Sequence, residues 1–440
     1  MELVELRAGC DLAGLGARMH SLVQELYPIC RSITGEGVRE TLRAVGERIP
    51  LDVRQVPTGT PVLDWTVPRE WTIRDAFIAD EQGNRVVDFN ACNLHVVGYS
   101  IPVDRTVTRA ELDEHLHSLP EQPDAIPFRT SYYSETWGFC VSQRQRDALT
   151  DERYRVRIDC SLQDGALTYA EHVVPGRVPD EVLVTTHVCH PSLANDNLSG
   201  IALLTELGAL LAEAAPHFTY RLLFNPVTIG SITWLAEHEA DVQRVRHGLV
   251  IAGIGDPGGF TYKRSRRGDA PVDRAVAHVL AAREAPHSIE AFSPYGYDER
   301  QFCSPGFNLP LGCLSRTPHG RYPEYHTSLD TPGFVVPAQL GEALDVVLEV
   351  LDVLEGDRRY RNLMPYGEPQ LGRRGLYKTM GGHADAGAMQ MAILWTLNLS
   401  DGDHTLLDIA ERSGLGFDLI REAAEALMEA SLLAPLDSAP

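Results

Sequence analysis

A chain of 440 residues exceeds what one hydrophobic core ordinarily organises, so two or three domains are expected. With 44% apolar and 23% charged side chains its composition is that of a soluble globular protein, which excludes fibrous and disordered classes. A formal net charge of -22 excludes a broad phosphate-facing surface, so neither nucleic acid nor an anionic membrane is an expected partner.

The opening MELVELRAGCDLAGLG lacks the basic and then apolar run of a secretion signal. No apolar run reaches the ~18 residues of a membrane span. The expectation is a cytoplasmic protein whose 8 scattered cysteines stay reduced.

Residues 15–48 read as helix: Leu22, Leu26 and Ile29 keep the period, Gly35 and Gly37 break it, and Val38, Leu42 and Val45 resume it. From 50 to 165, short alternating runs such as LDVRQVP, FIADEQGNRVVDFN and NLHVVGYS are separated by Pro, Gly and Asp, which predicts a β-rich unit. ELDEHLHSLP adds a short helix, and WGFCVS and YRVRIDCSL add strands. Between 181 and 355 the pattern alternates: VLVTTH, helix 199–213, RLLFNP, helix 229–240, GLVIAGIG, helix 271–283 and helix 337–355. Strands joined by helix-length crossovers predict an α/β fold with a mostly parallel sheet flanked by helices.

The last segment predicts three helices, the final two split by the turn Ser413-Gly414-Leu415-Gly416, with Asp403 as a helix cap. Residues 401–440 carry only Arg412 and Arg421 against nine acidic side chains, so this winged-helix-like unit is expected to pack or self-associate rather than bind DNA. The expected division is an α/β core over 1–55 and 166–362, an inserted β-rich domain over 56–165 and the winged-helix-like domain over 370–436. The insertion and the tail both offer surfaces for a homo-oligomer.

The stretch 182–209, VLVTTHVCHPSLANDNLSGIALLTELGA, concentrates the chemistry. A strand ends at His187, a polar loop carries Cys189, His190 and Asp196, and Ser199-Gly200 opens a helix. Open parallel sheets present ligands at the carboxyl ends of their strands, and imidazole with carboxylate there suits zinc. A second run, PEYHTSLD, places Glu324, Tyr325 and His326 together. Between them lies Tyr297-Asp298-Glu299-Arg300. Arg31, in CRSITGEG, sits where glycines and hydroxyls could form an anion-binding nest.

THVCHPSLANDNLSG, FNPVTIGS, GYDERQFCSPGFNLP and GRYPEYHTSLD together resemble a bacterial aminopeptidase-like family. The resemblance spans nearly the whole chain and implies a zinc-exopeptidase or glutaminyl-cyclase-like core, an inserted β domain and a C-terminal winged helix. It implies His187, Asp196 and His326 as ligands of one Zn²⁺, with Asp196 bridging two ions in two-metal relatives. The expected function is zinc-dependent hydrolysis of an amide in a small-molecule or peptide-like substrate by metal-bound water. Two departures stand out. Cys189 occupies the place of the aspartate in a His-x-Asp motif, and Val227 the place of a water-activating glutamate. Glu324, Glu299 and Asp298 are the candidate substitutes for that base, and His190 a candidate ligand or proton shuttle. Arg31, Tyr297, Arg300 and Tyr325 are the candidate substrate contacts. Val227 also leaves open an altered homologue with a non-hydrolytic biosynthetic or binding role.

Overall fold

The computed structural model describes residues 2–376 and 384–436. Eight strands form the central sheet, in the order Asp52–Pro57, Ala166–Val174, Thr219–Asn225, Glu181–His187, Val245–Ile251, Leu311–Ser315, Phe260–Lys263 and His287–Glu290. The four strands from Thr219–Asn225 to Leu311–Ser315 are mutually parallel, with antiparallel pairs towards the edges. Every residue of Glu181–His187 is buried, the pattern of a strand covered on both faces. His187 is its last residue, at the carboxyl end of the parallel core.

Helix Ser199–Leu211 returns from this edge with an almost wholly apolar surface. Its first turn lies so close to the strand that a Cβ on Gly200 would collide with Thr186 Oγ1 and the Asn197 amide. Gly200→Ala is therefore expected to destabilise the protein by about 1–3 kcal/mol, the usual cost of overpacking, measurable as a lower urea midpoint.

The expected helix 15–48 is two helices, Leu12–Leu26 and Glu36–Gly46, separated by a nine-residue loop rather than a glycine break. Pro28 cannot continue the first helix, and Gly35 precedes the second at φ +98° with the Trp71 carbonyl against its Cα. Arg31 rides in that loop.

The inserted segment forms a four-stranded antiparallel sheet in the order Arg85–Asp88, Glu70–Ala79, Arg153–Gln163 and Val103–Thr108. Tyr154, Val156, Ile158 and Cys160 alternate inward along its longest strand. Insertion and core share one compact unit, residues 1–273 and 285–347.

The second unit comprises residues 274–284 and 348–440. Within it, helices Ala384–Leu399, Leu406–Ser413 and Phe417–Glu429 accompany a small sheet of Arg359–Asn362, Asp401–Thr405 and Leu433–Pro435. Residues 377–383, in the early part of the expected winged-helix segment, lie outside the described residues. The turn at 413–416 falls where expected, with Gly414 at φ +70°. The cap does not. Thr405, not Asp403, caps the middle helix, because its hydroxyl accepts from the Asp408 N–H while the Asp408 carboxylate accepts from the Thr405 N–H at 2.7 Å. No helix among the described residues is long and apolar enough to cross a membrane.

Candidate metal centre

Beyond His187 the chain runs through Val188–Leu193 into a single wide turn, Ala194–Leu198, whose backbone leaves helical geometry at Asp196 and Asn197. Three anchors hold this loop. The Arg31 guanidinium, 2% exposed, donates to the carbonyls of His190 (2.7 Å), Pro191 (3.0 Å) and Leu26 (2.7 Å). The Asp330 carboxylate accepts the backbone N–H groups of Asn195 (2.6 Å) and Asp196 (3.0 Å). The Asn195 side chain reaches Gly255 N–H and Asp256. The expected substrate contact at Arg31 is thus replaced by a scaffolding one: its donors are spent on buried carbonyls.

His326 is brought in by the insertion. Phe128 N–H donates to the His326 carbonyl at 2.7 Å, and Ser328 N–H to that of Ile126 at 2.8 Å. This pairing holds His326 at φ +55°, a left-handed conformation that costs a non-glycine residue about 1 kcal/mol or more. Tyr325 stacks on the His326 ring at 3.9 Å and Phe128 meets it edge-on at 5.0 Å.

The three residues expected to converge do so around one carboxylate. His187 Nε2 lies 2.9 Å from Asp196 Oδ1, and His326 Nε2 lies 2.9 Å from Asp196 Oδ2. His190 joins them, with Nε2 4.0 Å from Asp196 Oδ2. Asp196 is fully buried, with imidazole nitrogens of His326 and His190 beside its Oδ2. The ligand atoms of His187, His190 and Asp196 all lie within 4.8 Å of one another, a buried group that could hold a divalent ion. Burial opposes ionisation of Asp196, but His190, His187 and His326 outweigh it and hold its carboxyl well below the usual range. Burial also pushes the His190 imidazole down to about 3, so it stands neutral, as a metal ligand must. His187, His190, Asp196 and His326 are the residues that could hold a divalent ion.

A cavity of about 380 Å³ opens on this centre, lined by His190 and His326 but by neither His187 nor Asp196. Its walls are aromatic, with Tyr295, Tyr297 and Tyr325 from the core and Trp65, Tyr132 and Tyr133 from the insertion. Tyr297 also stacks on His187 at 5.2 Å. Arg300 lines the cavity, with its Nε free of partners among the described residues. Val227 lines it too, and among the described residues no carboxylate does.

The candidate bases lie elsewhere. Glu299 is buried and ion-paired with Lys263. Asp298 is buried, accepts from Ser231 Oγ at 2.7 Å, and is pushed up to about 6 by that burial. Glu324 sits in the turn before His326, where its carbonyl accepts from Thr327. Asp256, the acid nearest the end of Val245–Ile251, accepts from Thr317, Gly258 and Asn195 and serves as a loop staple. Sequence reasoning missed Asp330, Phe128 and the aromatic wall from the insertion. Only Asp330 left a trace, as the acid closing the HTSLD run.

Fold and site together define an aminopeptidase-like α/β protein with a C-terminal winged helix. The chain belongs to the family described as Domain of unknown function (DUF4910), which matches residues 20–357, and residues 358–435 match a winged helix-turn-helix family. A Clostridium acetobutylicum protein, whose name pairs polysaccharide biosynthesis with an aminopeptidase-like domain, is 46% identical over 95% of this chain and 96% of its own. A crystal structure from Clostridium acetobutylicum named as a peptidase superposes with TM-score 0.92 at 44% identity, covering 97% of this chain and 98% of that one. The zinc aminopeptidase of Bacillus subtilis shares the fold at TM-score 0.56 and 11% identity, over 76% of this chain and 94% of that one.

Proposed function

We propose that this protein is a zinc-dependent amide hydrolase, aminopeptidase- or deacylase-like, that acts on a small substrate held in the aromatic cavity. One observation carries the reading. His187, His190 and Asp196 bring ligand atoms within 4.8 Å of one another, and His326, from a loop 130 residues beyond Asp196, lies 2.9 Å from Asp196 Oδ2 beside a cavity that admits a substrate. A bound zinc ion would supply an activated water and a Lewis acid for the amide carbonyl. The chain's own residues orient the substrate: the Tyr and Trp faces offer apolar contact, and Arg300 offers a donor to an anionic or carbonyl group. With no described carboxylate in the lining, His319 is the cavity imidazole outside the ligand cluster, and burial lowers its pKa so that it stands neutral as a weak base. General-base help is worth about 10²–10⁴-fold, so a valine at 227 predicts slow rather than absent turnover.

A second reading is supported by Val227 itself and by the polysaccharide-biosynthesis name of the Clostridium relative: a retuned pocket with a non-hydrolytic biosynthetic or binding role. The two are separated by assaying aminoacyl amides and N-acyl amino sugars with chelator and with zinc restored. Hydrolysis lost on chelation and regained with zinc is the expected result, and Val227→Glu should raise it by about tenfold or more. No turnover from wild type or Val227→Glu, while His326→Ala still removes bound metal, would leave the second reading standing.

A further inference from the structure

Among the described residues the aromatic cavity carries fixed charge of one sign. Arg300 lines it from the short helix Glu299–Phe302, and neither an ion pair nor a hydrogen bond engages its side chain there. The two acids that precede Arg300 in sequence are turned to other partners. Glu299 pairs with Lys263, and Asp298 accepts from Ser231 Oγ at 2.7 Å; both are buried. Asp196 lies against the His187 and His326 imidazoles and is not part of the lining.

That sign selects among amides. A substrate with a free amino terminus brings an ammonium, which this lining meets with a cation and no carboxylate. The ammonium would shed its water without gaining a partner. A substrate whose nitrogen is acylated carries no such charge. A carboxylate elsewhere on it matches the planar fork of an arginine, which binds the group through two parallel hydrogen bonds. The other walls suit the rest of such a molecule: Trp65, Tyr133 and Tyr295 present exposed aromatic faces, and Val227 and Ile232 an apolar side. At about 380 Å³ the cavity lies near the small end of the ~300–1,000 Å³ of ligand sites, room for one acylated unit and not for a chain.

We infer that the substrate is an N-acylated amine bearing a carboxylate, that Arg300 binds the carboxylate, and that the site removes an acyl group instead of trimming a free amino terminus. This rests on the hydrolase reading above. In the reaction the oxygen of water bonds to the acyl carbon and the carbon–nitrogen bond breaks. Both protons of the water pass to nitrogen, which yields a carboxylate and an ammonium. N-acyl amino acids and N-acyl amino-sugar acids share this chemistry.

The test uses the full chain, first held in chelator so that calorimetry reads binding to the protein's own groups. The acidic probes are N-acetyl-L-phenylalanine and N-acetylmuramic acid, with N-acetyl-L-phenylalaninamide and N-acetylglucosamine as uncharged counterparts. L-phenylalaninamide is the cationic probe, at about pH 6 to keep its ammonium. At least one acid should bind about tenfold or more tighter than its counterpart, and the tighter acid identifies the source; the cation should bind most weakly. Arg300→Gln should weaken that acid by about 10–100-fold and level the preference, while Arg300→Lys retains part of it. With zinc restored, Arg300→Gln should raise KM for the acid more than it lowers kcat. No binding of either acid, equal binding of acid and counterpart, a preference that survives Arg300→Gln, or tightest binding of L-phenylalaninamide overturns the inference. An acid preference that depends on Arg300, with no probe turned over, defeats the hydrolase reading and leaves the charge selection standing. Turnover of L-phenylalaninamide alone, indifferent to Arg300, does the reverse.

Discussion

Replacing Asp196 by asparagine should abolish tight zinc binding and metal-dependent turnover while leaving the fold intact. The substitution keeps size and shape, and the amide oxygen can still accept from His187 Nε2. What changes is the other atom. Oδ2, which faces His326 and His190, becomes an NH₂ that donates and cannot ligate. Zinc affinity should drop by more than about 100-fold, beyond the range typical of groups that merely support a ligand. The melting temperature of the metal-free protein should fall at neutral pH, because the imidazoles that hold the Asp196 carboxyl well below its usual range make its charge stabilising in the folded state. Chelator competition and thermal circular dichroism check both halves; an unchanged zinc affinity would remove Asp196 from the site.

Asp330→Ala should cost considerable stability and loosen the candidate metal site. Its carboxylate accepts two buried N–H groups, those of Asn195 and Asp196, while its own carbonyl accepts from Ala194 N–H. Alanine leaves the two N–H groups without acceptors, at about 1–3 kcal/mol each, so a loss of about 3 kcal/mol is expected in urea unfolding. The same staple sets Asp196 against His326, so zinc affinity should fall by about 10–100-fold in the folded variant. A loss of stability with zinc affinity unchanged would show that the staple serves folding alone.

Much of the architecture was legible because it is local. Strand-length apolar runs alternating with helices marked out the sheet, and the run ending at His187 placed a ligand-type residue at its carboxyl edge. The convergence of His187, Asp196 and His326 was legible through resemblance, and the distances agree with it. What escaped notice depends on partners distant in sequence. Arg31 looked like a substrate contact because a loop of glycines and hydroxyls suits anions, but its true neighbours are carbonyls some 160 residues away. Asp330 and Phe128 carry no local signature, since each acts by gripping a backbone contributed by another segment.

The central claim is that one carboxylate and two imidazoles grip a single divalent ion at the cavity. X-ray absorption at the zinc edge of the reconstituted full chain tests it most directly. The account predicts one zinc per chain with nitrogen and oxygen neighbours at about 2.0–2.1 Å and two imidazole scattering patterns. A sulfur neighbour near 2.3 Å, as Cys189 ligation would give, or a spectrum of hexahydrated zinc alone, would contradict it.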